Sequence, residues 1–164
     1  MEIEQILTEM KRNSNFEVKG PCGLLVISGN HEMPEDIKRF YSLCGGIEYY
    51  VDDGGFPIKI LEPTKIMLSN LVLLGEQYED DISSSWYTIV DAEDGNYISI
   101  DFGSKRPGWC YESFEYSHAI KDNCPIIAKS FTELLLNICR YTGDYFFWKE
   151  ENAEDYGDAY DNIE

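Results

Sequence analysis

The stretch Met33-Pro34-Glu35-Asp36-Ile37-Lys38-Arg39-Phe40-Tyr41-Ser42-Leu43-Cys44-Gly45-Gly46-Ile47 is the strongest constraint on what this chain folds into. Proline is well placed at a first helical position, where its missing N–H would find no partner anyway. Glu35 and Asp36 then set negative charge against the positive end of the helix dipole. Ile37, Phe40, Tyr41 and Cys44 follow at i, i+3, i+4 and i+7, the apolar stripe of a helix, and Gly45-Gly46 predicts a left-handed stop. Ile3, Ile6, Leu7 and Met10 keep the same spacing and predict an N-terminal helix ending near Asn13-Ser14-Asn15. A third helix is predicted after a short strand at Pro125–Ala128. Ser130 with Glu133 is a capping box, and Phe131, Leu134, Leu135 and Ile138 form its buried stripe.

Between these helices the pattern is extended. Leu24-Leu25-Val26-Ile27 predicts a strand, and Ile47, Tyr49 and Val51 alternate with Glu48, Tyr50 and Asp52. Ile58–Leu61 follows, then a helical turn from Pro63 to Met67, and then Leu71-Val72-Leu73-Leu74, whose compact apolar run fits a buried strand. Trp86–Val90 and Tyr97–Phe102 predict a hairpin, because Asp94-Gly95 and Gly95-Asn96 are both favoured two-residue turns. Either turn puts Tyr87 and Ile89 on one face with Ile98, Ile100 and Phe102. Trp86, Thr88, Val90, Tyr97, Ser99 and Asp101 share the other, more polar face. A further strand is predicted at Trp109–Phe114, and the aromatic patch Tyr145-Phe146-Phe147-Trp148 is expected to pack onto the core. The sum is a single α+β domain over residues 1–149: a mixed, mostly antiparallel sheet packed against several helices. Residues 150–164 are expected to form an acidic, mobile tail.

Length and composition agree with one globular unit: 164 residues, 43% hydrophobic and 14% aromatic. The formal net charge is −18. Seven of the acids lie in residues 150–164, and the chain stays acidic without them. Such a charge repels phosphate backbones, which argues against direct nucleic-acid binding, and it steers basic partners. The bland reading is that it keeps the protein soluble. Five cysteines without a CxxC give neither a disulfide framework nor a zinc site. No basic n-region, apolar leader or membrane-length apolar run stands out, so a cytoplasmic location is expected.

Motifs for chemistry are missing. There is no G-x-S-x-G, no G-x-G-x-x-G and no Walker A. His31 and His118 are too few for a His-rich metal centre, and a loop histidine is ordinarily a surface residue. Cys110 and His118 would make a thiol–imidazole pair only if the fold joined them. Asp91–Gly95 opens like a calcium loop, but its glycine comes one position early and Phe102 stands where the bidentate Glu belongs.

The Met33–Ile47 helix, the Trp86–Phe102 hairpin and the strand-to-helix joint at Ser130-Phe131 occur in an order that resembles the SUKH superfamily over roughly residues 33–140. Members usually carry a second helix ahead of the proline motif, where this chain has Leu24–Ile27. The resemblance implies an α+β fold, no enzyme activity and no cofactor. Bacterial relatives are largely immunity proteins paired with secreted nuclease or deaminase toxins, and fungal relatives are linked to regulation of cell-wall synthesis. The implied function is therefore binding and neutralising a cognate, basic toxin; the alternative is a regulatory scaffold for an intracellular partner. A basic nucleic-acid groove would be filled by acids and aromatic anchors. The candidate contact residues are Asp52, Asp53, Glu79, Asp80, Asp81, Trp86, Tyr97 and Asp101.

Overall fold

The structure, a computed structural model, describes residues 1–27, 29–50, 55–143 and 146–163. Among the described residues seven strands form one sheet whose spatial order is the chain order: β1 (Phe16–Lys19), β2 (Gly46–Tyr49), β3 (Ile58–Ile60), β4 (Trp86–Asp91), β5 (Tyr97–Asp101), β6 (Cys110–Ser113) and β7 (Ile126–Ala128). Every neighbouring pair is antiparallel. Helices α1 (Ile3–Arg12), α2 (Glu35–Leu43) and α4 (Phe131–Cys139) contact one another, and their apolar stripes join the main core. The three stripes are those that the periodicity predicts, and each is buried. Phe40 and Phe131 meet edge-to-face at 4.9 Å, joining α2 to α4.

The Ser130 half of the capping box forms, with Glu133 N–H donating to Ser130 Oγ at 3.0 Å, while the Glu133 carboxylate accepts from Lys129 N–H at 2.9 Å, one residue ahead of the cap that the motif predicts. Asp36 does more than complement a dipole. One carboxylate oxygen accepts from Ile37 N–H, and the other accepts from both the N–H and the hydroxyl of Thr132 in α4. Gly45-Gly46 serves a different purpose from the expected stop. Helix α2 ends with Cys44 already extended, and Gly46 has φ +136°, outside the left-handed helical region. The pair is needed for room. A side chain at Gly45 would run into the carbonyl oxygen of Gly20, and a Cβ at Gly46 would lie 2.9 Å from that of Ile60.

The β4–β5 connection departs from the two-residue turn. Ala92 N–H donates to Asn96 O, closing a loop over Glu93, Asp94 and Gly95, all at positive φ. That odd-length loop alone would invert the facing of every residue beyond it, but a bulge between Thr88 and Val90 shifts the register back. Trp86 pairs with Asp101, Tyr87 with Ile100 and Thr88 with Ser99, so the face assignments of these residues stand. Val90 is the exception: it pairs with Ile98 and joins the main core beside Ile89.

Three segments differ from their sequence reading. Residues 24–27 form no strand; Leu25 and Ile27 pack against the main core as irregular chain, while Leu24 and Val26 face solvent. Leu71–Leu74 is the end of a helix, α3 (Ser69–Leu74), closed by Gly75 in the left-handed conformation at φ +78°. The acidic C-terminal stretch is seated on the domain rather than trailing from it. Ile126 N–H donates to Gly157 O, Ala159 N–H donates to Cys124 O, and Ala159 is fully buried in a second, smaller core with Trp86, Tyr111, Cys124 and Ile126. Ala159 is small enough to enter that core, and Gly157 takes a positive φ of +84° in a turn where a Cβ would lie 2.8 Å from Asp161 Oδ2; charge composition conceals both. Of the aromatic patch, Phe146 is buried and stacks on Trp148 at 4.8 Å; Tyr145 lies outside the described residues.

If the C-terminal stretch is part of the fold, deleting residues 155–164 uncovers Trp86 and Tyr111 and lowers stability by about 2–4 kcal/mol. Urea unfolding followed by tryptophan fluorescence measures this; an unchanged midpoint would show the stretch to be dispensable.

Candidate protein-interaction surface

The sheet face opposite the three helices combines a layer of polar residues with the second, smaller core around Trp86 and Tyr111. Trp86, Thr88, Tyr97, Ser99 and Asp101 project there, with Tyr111 and Ser113 from β6. Ser99 and Ser113 share a hydrogen bond at 2.6 Å, and Ser69 of α3 joins Ser99 at 2.7 Å. Asn70 is the hub: its amide N–H donates to Ser83 Oγ at 3.0 Å, and its carbonyl oxygen meets His118 Nε2 at 2.7 Å. Asp81 continues the network by accepting from Ser83 N–H, from the Ser83 hydroxyl and from the Tyr160 hydroxyl at 2.8 Å. Buried hydroxyls and amides lose water on folding, so each needs a partner of this kind.

Helix α3 is held by this network, and its polarity is inverted as a result. Its buried residues are Ser69 and Asn70, while Leu71, Val72 and Leu74 face solvent. The loop that follows is ordered by local bonds. Gln77 donates to Ser84 O at 2.7 Å, Tyr78 donates to Glu76 at 2.7 Å, and Asp81 N–H donates to Tyr78 O.

The candidate contact residues divide on this frame. Glu79 and Asp80 are exposed on the loop beyond α3. Asp81 is half-buried and committed to Ser83 and Tyr160, and Tyr97 is half-buried with burial pushing its phenol pKa up. Two are corrected. Trp86 has no exposed surface; it stacks on Tyr111 at 4.2 Å and meets the edge of His118. Asp101 is 6% exposed, with its oxygens accepting from Ser85 Oγ, Gly103 N–H and the Tyr111 hydroxyl, and burial raises its pKa. Both are buried in the folded chain. Alternation placed them correctly on the second face but could not show that α3 and the C-terminal stretch cover it. Asp52 and Asp53 lie outside the described residues.

A cleft of about 640 Å³ lies beside this face, lined by Asp80, Asp81, Asp101, Lys105, Arg106 and Tyr111 among others. Of its two cations Arg106 is engaged: it donates to the carbonyls of Ala159 and Asp161 and lies over the Trp109 ring at 4.9 Å. His118, read as a surface residue, is buried. Cys110 belongs to the main core on the other side of the sheet, so the two do not form a thiol–imidazole pair. Among the described residues no group of three or more His, Cys, Asp or Glu is arranged to hold a metal ion. No described helix is long and apolar enough to cross a membrane.

Burial lowers the His118 pKa to about 4, against a smaller opposing pull from Asp81. The folded value lies below the unfolded one of about 6.5, so the folded state binds fewer protons between them. The stability this group supplies is complete above about pH 6.5 and is lost as pH falls towards 4, by up to about 3 kcal/mol. H118Q keeps a donor for Asn70 but cannot titrate. The wild type is therefore expected to lose more stability than H118Q between pH 6.5 and 4.5 in chemical denaturation; parallel losses would show that His118 is solvated.

Comparison with known proteins gives two findings. The SMI1 / KNR4 family (SUKH-1) model matches residues 30–137, from just ahead of α2 into the last turn of α4. The protein named Immunity protein YokJ of Bacillus subtilis (strain 168) is 36% identical over 164 residues, covering 100% of this chain and 99% of that one. No solved structure gives a significant match. The family match spans the Met33–Ile47 helix, the hairpin and the capped closing helix, and full-length identity to a curated relative accompanies it; the chain belongs to the SMI1/KNR4 family, SUKH-1.

Proposed function

We propose that this chain is an immunity protein that binds and neutralises a cognate bacterial toxin, and that the toxin presents a basic, nuclease-type surface. The observation that carries the reading is the end-to-end 36% identity to a relative named as an immunity protein, without a domain added or lost between the two. The charge of −18 supports a basic partner, since it both steers encounter and matches the groove a nucleic-acid enzyme needs. The buried titratable groups favour binding over catalysis. Asp101 spends its acceptor capacity on protein donors, and His118 Nε2 is bonded to Asn70 beneath Trp86. A general acid or base must reach the proton it transfers; His118 is buried, and Asp101, at the edge of the cleft, keeps only 6% of its surface exposed. A cytoplasmic site of action fits a toxin that must be met inside the producing cell.

Co-expression of this chain with the toxin encoded beside its own gene is expected to restore growth. The pair is also expected to co-elute from a sizing column, with association slowing as salt rises. Growth arrest together with separate elution would contradict the reading, and salt-insensitive association would contradict the basic partner alone.

A further inference from the structure

We infer that the inverted helix α3 and the acidic loop after it are the docking surface for the toxin, an inference that rests on the function proposed above. A six-residue helix that buries Ser69 and Asn70 and leaves Met67, Leu71, Val72, Leu74 and Tyr78 between 37% and 51% exposed has the reverse of the polarity that a surface helix needs. Solvation alone would turn it over. It is held by Asn70 between Ser83 and His118, by Ser69 on Ser99, and by Thr88 N–H donating to Met67 O at 2.9 Å. The polar layer thus fixes an apolar ridge outwards. Leu71 and Leu74, three residues apart, are neighbours on that ridge.

The rim specifies the occupant. Glu76, Glu79 and Asp80 are exposed immediately beyond Gly75, and residues 75–85 contain no Lys or Arg. Lys65 lies at the opposite end, ahead of Met67, while Lys105 and Arg106 share the cleft with Asp80 and Asp81, where Arg106 is bonded to the C-terminal stretch. An apolar centre with an acidic rim suits a protein surface that carries an apolar recess flanked by Lys or Arg. The apolar centre supplies the burial and the rim supplies the steering. The adjacent loop, which delivers His118 to Asn70, also exposes Tyr116 and Ile120 and can extend the contact.

The test uses the full chain and the toxin from the neighbouring gene. L71E/L74E replaces exposed side chains with good helix formers, so the thermal midpoint should be retained. Its Kd for the toxin is expected to rise about 100-fold or more, with loss of growth protection. E79K/D80K is expected to slow association at low salt and leave dissociation nearly unchanged. The control L24E/V26E, on exposed apolar residues of the irregular 20–27 segment, should bind as the wild type does. Full protection by L71E/L74E with wild-type affinity would overturn the surface while leaving the immunity function standing. A wild-type dimer that L71E/L74E dissociates without changing protection would assign the ridge to a second copy of this chain and also overturn it. Absence of protection by the wild type is a failure of the function itself and is read separately.

Discussion

Everything that distinguishes the second face of this sheet depends on the hydrogen bonds of Asn70. Its amide spans Ser83, in the 3-10 turn Ile82–Ser85, and His118, in the loop after β6, and its backbone lies in the first turn of α3. A buried amide left unpaired costs on the order of 1–3 kcal/mol, so these partners hold one another in place. His118 in turn lies against Trp86, Ser83 leads to Asp81, and Asp81 leads to Tyr160 of the C-terminal stretch. One polar layer therefore fixes the orientation of α3, the ordering of the acidic loop and the seat of the chain's last residues.

The two faces do different work. The helical face is apolar and closely interlocked, with Asp36 tying the start of α2 to the first turn of α4 and Phe40 packed on Phe131. It uses the residues that carry the family pattern, and these are determinants of fold. The opposite face spends its side chains on serines, an asparagine and a buried carboxylate. These stabilise little by burial but specify one arrangement of what lies above them. A relative could alter the outer residues of α3 and its loop without disturbing the core.

Much of this was legible in the sequence, and the failures have physical causes. The three large helices were visible because each buries one stripe, and that stripe repeats at the helical period. The hairpin faces were readable although the turn was not, because the bulge near Ile89 compensates for the odd loop at Glu93-Asp94-Gly95. Helix α3 was misread because four consecutive apolar residues fit a buried strand and a short helix equally well. Gly75, ideal as a left-handed helix end, was the clue, together with the leucine-rich composition. The burial of Trp86 and Asp101 is not legible in the sequence, because period-two alternation gives only the face of a residue and the cover comes from elements distant in sequence. The seating of residues 156–161 was hidden for a similar reason: the segment is acidic overall, but it is held by the Asp158 carboxylate accepting from Cys124 N–H, by the Tyr156 and Tyr160 hydroxyls, by buried Ala159 and by backbone groups.

Hydrogen–deuterium exchange of the full chain, alone and bound to its toxin, tests the central claim most directly. Amides from Leu68 to Asp80 are predicted to gain the largest protection on binding, while α1 and α4 change little. Protection concentrated on the helical face or on residues 20–27, with Leu68 to Asp80 unchanged, would contradict the account.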